Sequence, residues 1–393
     1  MCKRSFGCVV LTAMVVSSLG VFMASGADTT KATVRDPATE RVEINLEKLK
    51  VSWEDFPKVV FAKDGKEVCV WWGLGDIHRL KFLVFDLAGK NLGSSRDTNA
   101  LKLLTGFPTI AWKWIHYDFL HPPGRGVTAE TFSTDLSEGF RVSLANKLPE
   151  SGDRPYVAEM WRLSEPKRQL WSRELPSEGE QQTYHPEAIG ILHDWRSEPL
   201  LIALNTVVCA ELDPQTGSTK RTFAFGPIES SEEAGKRAKK FGGSEDDQDL
   251  AGFSAGSFDY DPKHGWIACG CSHDRRIRVI DSSAPQRVVF EAHNNDNPFR
   301  PRGGNWFVYP VEFFVDGKYL VASTDFSRRF GPYKYEIEVY ETTSWRMVWK
   351  TEDNRIQSFA LSPDGQNMAY VRAATLVIAR FEPKPLGPAA KSR

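Results

Sequence analysis

Short apolar runs, each broken by a tight polar turn, recur along this chain. "FFVDGKYLVAS" at 313–323 has two relatives far away, "FAKDGKEVCVW" at 61–71 and "ALSPDGQNMAYV" at 360–371. Each reads as a strand, an Asp-Gly turn and a second strand, because Gly, and to a lesser degree Asp, tolerates the positive φ of such turns. Degenerate copies lie at 129–146, 188–204 and 256–271. The turns then fall near 64, 137, 196, 263, 316 and 364, at intervals of about 48 to 73 residues, the period of a four-stranded unit with loop insertions.

A second hairpin follows each of the first five copies, at 82–93, 156–172, 206–225, 276–293 and 336–353. Each repeat is therefore expected to be four antiparallel strands, a to d, with no sustained helical period between them. A single such sheet cannot bury both faces, but sheets packed radially around an axis can. The last repeat has only three strands, ending at Glu382, before the Pro-rich tail "PKPLGPAAKSR". The segment 39–50, with Val42, Ile44 and Leu46 alternating, is expected to supply the missing strand and close the final unit.

Two stretches carry a resemblance. "IACGCSHDRRIRVID" at 267–281 and "IQSFALSPDGQNMAYVRAATLVIARFE" at 356–382 resemble the repeats of WD40-like β-propellers, and His293 occupies the place of that family's inter-blade His. The resemblance covers roughly 40–383, although "VFD", "VID" and "VYE" stand where the family has Trp-Asp. It implies an all-β propeller of about six four-stranded blades with an interaction role. A seventh blade depends on 98–126, a long stretch with apolar residues that no hairpin absorbs.

The ends and one insertion lie outside this pattern. Lys3 and Arg4, the apolar run from Cys8 to Met23, and small residues to Ala27 describe a secretory signal peptide, 1–27, and hence an extracytoplasmic protein, secreted or periplasmic. Disorder is expected at 28–38 and 384–393, and a charged loop with a short helix at 229–250, leaving one domain over 39–383. Lys plus Arg is 50 against 51 Asp plus Glu, which removes nucleic acid as the main partner, since phosphate binding needs a basic excess. Beyond the leader stand Cys69, Cys209, Cys269 and Cys271, too few for a disulfide framework, and they are expected as core thiols rather than metal ligands.

Candidate chemistry concentrates in the b–c and d–a loops, which emerge at one end of such sheets. Arg79, Arg275, Arg276, Arg300, Arg302, Arg328 and Arg329 lie there with Trp306 and Tyr333. Guanidinium groups suit carboxylate or sulfate, and aromatic rings suit sugars or peptide side chains. The competing reading is that these arginines pair with nearby acids such as Asp274, Asp296 and Asp325. Metal and cofactor sites are not expected, since "GSEDDQD" and "HNNDN" complete no calcium loop and no phosphate-binding Gly-rich loop occurs. The expectation is an exported, non-catalytic propeller that binds a protein, peptide or glycan. The alternative is a propeller hydrolase or lyase acting on an anionic carbohydrate at the axial mouth, which would need paired carboxylates, or a His beside one.

Overall fold

A computed structural model describes residues 33–36, 41–52, 57–73, 80–115, 127–133, 137–144, 156–163, 167–175, 187–189, 192–193, 198–204, 207–226, 230–240, 255–271, 275–293, 304–328, 334–353 and 356–386. The described chain is almost all β and forms six sheets of four or five strands. Sheet I contains Lys58–Phe61, Glu67–Trp72, Lys81–Asp86 and Asn91–Ser94. Sheet II contains Val127–Ser133, Glu138–Leu144, Tyr156–Arg162 and Arg168–Glu174. Sheet III contains Glu187–Ile189, Leu200–Ala203, Val208–Leu212 and Thr219–Ala224. Sheet IV contains Ala255–Asp261, Trp266–Cys271, Ile277–Asp281 and Val288–Ala292. Sheet V contains Gly304–Phe314, Tyr319–Arg328, Lys334–Glu341 and Arg346–Asp353. The four strands named for each of sheets I to V pair in chain order, a meander, and the expected turns near 64, 263 and 316 join the first two strands of sheets I, IV and V.

Sheet VI takes strands from both ends of the chain. Ile356–Leu361, Asn367–Arg372 and Thr375–Arg380 are followed by Arg41–Asn45, with Val42 opposite Ile378 and Ile44 opposite Leu376. Val42 and Ile44 are buried while Arg41, Glu43 and Asn45 are not, the alternation a strand with one covered face requires. Thr33–Asp36, within the 28–38 segment, adds a fifth strand against Arg41–Asn45.

Apolar clusters join the sheets in sequence. One core spans sheets II and III, one III and IV, one IV and V, one V and VI, and one VI and I. The other face of sheet I is covered by the short helices α1 (Ala100–Leu103) and α2 (Pro108–Ile115), whose Ala100 and Ile110 pack with Leu104, Phe107, Phe82 and Val84. The described part of 98–126 is thus a helical cover for sheet I and not a seventh sheet. The helix Ser231–Lys240, α3, opens on a capping box: Ser230 N donates to Glu233 Oε2 at 2.9 Å while Glu233 N donates to Ser230 Oγ at 3.3 Å. Among the described residues no helix is long and apolar enough to cross a membrane.

First strands of several neighbouring sheets lie beside one another. Leu192–His193, near the start of sheet III, pairs parallel with Val127–Ser133, the only parallel pairing among the described strands. Elsewhere side chains make the link. Ser257 Oγ donates to Val308 O at 2.9 Å, Phe313 N donates to Asp259 Oδ2 at 2.6 Å, and Val59 N donates to Ser358 Oγ at 2.9 Å. These bonds satisfy edge groups that would otherwise be left unpaired in a crowded interior.

The recurring turns pack against the neighbouring sheet, which explains their small residue. In sheet V, Lys318 N bonds Val315 O at 3.0 Å, and Asp316 and Gly317 have φ of 50° and 75°, a primed hairpin turn. A Cβ at Gly317 would collide with the Asp261 carboxylate of sheet IV. Gly317→Ala should therefore cost on the order of 2 kcal/mol, from backbone strain plus displacement of Asp261, measured as a shift in the urea midpoint. The tail follows the same logic of covered edges. Lys384 N and Leu386 N donate to Val348 O and Met347 O at 2.8 and 2.7 Å on the outer strand of sheet V. Residues 384–386 are thus docked, not disordered: Pro383 and Pro385 alternate with the two donors, so the missing N–H groups fall where none is needed. Cys69, Cys209, Cys269 and Cys271 are free, buried thiols, and burial pushes the first three up in pKa.

Candidate functional site

The loop-bearing end of sheets IV and V holds a charged cluster. Arg275 stands in the connection between the second and third strands of sheet IV, and His293 directly follows the fourth. Both reach the third strand of sheet V, where Glu336, Glu338 and Tyr340 alternate with Ile337 and Val339 and so share one face. Arg275 Nη2 donates to Glu336 Oε2 and to Glu338 Oε1, each at 2.7 Å. His293 Nε2 lies 2.7 Å from Glu338 Oε2, and Tyr340 Oη donates to that same oxygen at 2.7 Å. Lys350, on the fourth strand of sheet V, approaches Glu336 Oε2 at 3.3 Å and Glu338 Oε1 at 3.7 Å.

Electrostatics explain why two carboxylates tolerate this position. The Glu338 side chain is 0% exposed, Glu336 8%, Arg275 11% and His293 16%. Burial pushes Glu338 up more strongly than any single neighbour pulls it down. The His293 hydrogen bond and charge, Arg275 and the Tyr340 hydroxyl together outweigh burial and hold it at about 2. His293 itself has φ of 59°, a left-handed backbone held by the anchored imidazole.

Of the arginines expected at this end, Arg275 and Arg276 have little or no exposed surface. Arg275 is engaged by Glu336 and Glu338, and Arg276 is fully buried. Trp306 and Arg328 stand on the first two strands of sheet V, with backbones near the same end: Trp306 is opposite Phe326 and Gly304 opposite Arg328. Arg79, Arg300, Arg302, Arg329 and Tyr333 lie outside the described residues. His293, expected to bridge neighbouring units, does so, but its acceptor is Glu338 of the next sheet. The sequence signal for that acceptor was "EIEVYE", with two carboxylates two residues apart on an otherwise apolar strand.

Arg–Glu pairs across neighbouring strands recur and are structural. Arg141–Glu159, Arg221–Glu211 and Arg278–Glu291 stand opposite one another at 2.7, 2.7 and 2.9 Å. The cluster at sheets IV and V differs because its ion pairs themselves run from one sheet to the next.

A second polar centre lies on the first strands. Asp259 of sheet IV accepts the Phe313 N–H of sheet V, and Glu312 precedes that residue. Burial pushes Asp259 up to about 8; the Phe313 hydrogen bond opposes this and the Glu312 charge adds to it. Glu312 is raised too, by burial, with Lys58 of sheet I opposing. Glu312 lines a small cleft with Ser323, Ile337 and Ser358. Among the described residues no group of three or more His, Cys, Asp or Glu side chains is placed to hold a metal.

No family model matches the sequence, and no curated protein matches it. Among solved structures the chain is similar to the Myceliophteria thermophila Cps50 (Swd1) β-propeller domain, with a TM-score of 0.35 and 10% identity over 89% of this chain and 98% of that one. It is also similar to a chain of the mitotic checkpoint complex, with a TM-score of 0.37 and 10% identity over 93% and 99%. Likeness this faint adds nothing to the sheets themselves, on which the fold reading rests.

Proposed function

We propose that this protein is an exported, non-catalytic β-propeller of six blades that binds a protein, peptide or glycan through its loop-rich end. The six sheets would be its blades, and Arg41–Asn45 the strand that joins the two ends of the chain into a ring. One observation carries the binding reading. Arg275, before the third strand of sheet IV, and His293, after its fourth, both meet Glu338 of sheet V, and Arg275 meets Glu336 as well. A rigid base under adjacent loops is what a recognition surface needs, because it limits the entropy lost on binding. Most of the cluster's charge is neutralised internally, which suits support rather than chemistry.

The test is capture of partners by the mature domain, with parent and variant compared on arrays of anionic glycans and peptides. Replacing Arg328 and Arg329 together by Ala should weaken capture while leaving the melting temperature nearly unchanged. Equal capture by parent and variant sinks the role of these arginines.

A second reading has its own observation, the pair of carboxylates on neighbouring first strands. Asp259, with a raised pKa, would serve as the acid of a hydrolase or lyase, and Glu312 as its partner. Hydrolysis of an anionic oligosaccharide that Glu312→Gln abolishes would favour this reading over binding alone.

A further inference from the structure

From the blade junction that carries the charged cluster, a continuous file of aromatic rings runs out to the surface. His264, at 33% exposure, stacks on Trp266 at 4.3 Å between centroids. Trp266 meets Trp345 at 5.4 Å, Trp345 stacks on Phe290 at 4.5 Å and 9°, and Phe290 meets Tyr340 at 5.1 Å. Trp345 is 8% exposed and Tyr340 4%, so only the His264–Trp266 end faces solvent to any extent. At the inner end the Tyr340 hydroxyl donates to the buried Glu338 carboxylate at 2.7 Å and lies 3.2 Å from His293 Nε2.

We propose that this file is an electron relay, and that Tyr340 is its terminal donor. Packing alone accounts for aromatic pairs, which gain from edge or offset contact. It does not require that two tryptophans lead to a buried tyrosine whose hydroxyl already rests on an ionised base. Tyrosine gives up an electron readily only if its proton leaves at the same time. Glu338 Oε2 is the acceptor in place, along an existing hydrogen bond; Arg275 and His293 lower its affinity for a proton, so this transfer is the slow part of the step.

The step balances as follows. A one-electron oxidant of the radical or metal-polypyridyl class takes an electron from Trp266 and is reduced. The electron vacancy passes to Trp345 and across the Phe290 ring to Tyr340. Tyr340 loses one electron, and its hydroxyl proton moves to Glu338 Oε2, leaving a neutral tyrosyl radical and a protonated carboxyl. Phe290, which is far harder to oxidise, acts only as a bridge. The class of co-reactant at the exposed end is thus a small diffusible radical oxidant or a redox partner docking over His264 and Trp266.

The experiment is flash photolysis of the intact protein with a ruthenium(III) polypyridyl oxidant, read by rapid-freeze EPR. The relay predicts a neutral tyrosyl signal of which one component disappears in Tyr340→Phe. The same component should be lost in Trp345→Phe, and lost or delayed in Trp266→Phe, which changes the part-buried outer end of the file and keeps an aromatic ring there. Glu338→Gln should slow its appearance, since the proton acceptor is gone. The proposal is overturned if no component depends on Tyr340, or if that component survives unchanged in both tryptophan variants.

Discussion

Glu338→Ala is expected to destabilise the protein by about 3–5 kcal/mol, more than most single changes on the described strands. The carboxylate is fully buried and receives Arg275, His293 and Tyr340. Its removal takes one of two carboxylates from Arg275 and the carboxylate from His293 in a site with little water, and breaking a buried pair on one side costs about that much. Lys350→Ala should cost less than about 1 kcal/mol, because that ammonium is 25% exposed and its contacts are longer. Urea titrations of both variants check the ranking, and equal costs would show that the cluster is not organised around Glu338. The carboxyl is held below its ordinary value of 4.5 at about 2. Its contribution is therefore complete above pH 4.5 and is lost as pH falls toward 2. Glu338→Gln should remove that part of the acid-unfolding transition while leaving the protein's behaviour at higher pH flat by comparison.

Asp259→Asn is expected to act with the opposite sign. Burial raises this carboxyl from 3.8 to about 8, so the fold favours its protonated form. Stability from this group is greatest below pH 4 and declines as pH rises toward 8, where a charge is forced into a half-buried site beside Glu312. The Asn amide oxygen can still accept the Phe313 N–H and carries no charge. The variant should match the parent near pH 4 and exceed it at pH 8.5 by on the order of 1–2 kcal/mol, well below the full equivalent of such a shift because the side chain is only half-buried and solvent screens its charge. Urea midpoints at the two pH values read the difference. A variant weaker than the parent at pH 8.5 would mean that the ionised carboxylate is what joins the two sheets.

These two residues also show where sequence reading stops. The hairpins were legible because their signals are local: Asp316–Gly317 and Asp364–Gly365 sit between runs with a period of two. The helical cover over 100–115 was not, because Gly106 and Pro108 break its apolar face into pieces too short to show a 3.6-residue period. Arg275 was legible as a functional candidate, but its use was not. Its partners lie 61 and 63 residues away, on a strand that the pattern marked only as apolar. His293 was placed correctly between neighbouring units, while the carboxylate it meets was not foreseen.

By itself the chain determined its repeat length, its turns and the alternation of each strand, since these depend on residues a few positions apart. It also supplied the strand Arg41–Asn45, whose alternation marks one buried face. Which side chains share a dry space was decided only by the packing of one sheet on the next. That packing turns Glu336 and Glu338 from strand polarity into the anchor of two loops, makes Asp259 favour its proton, and lines up four aromatic side chains behind His264. Charge, burial and ring contact are properties of neighbours in space, and here those neighbours come from separate repeats.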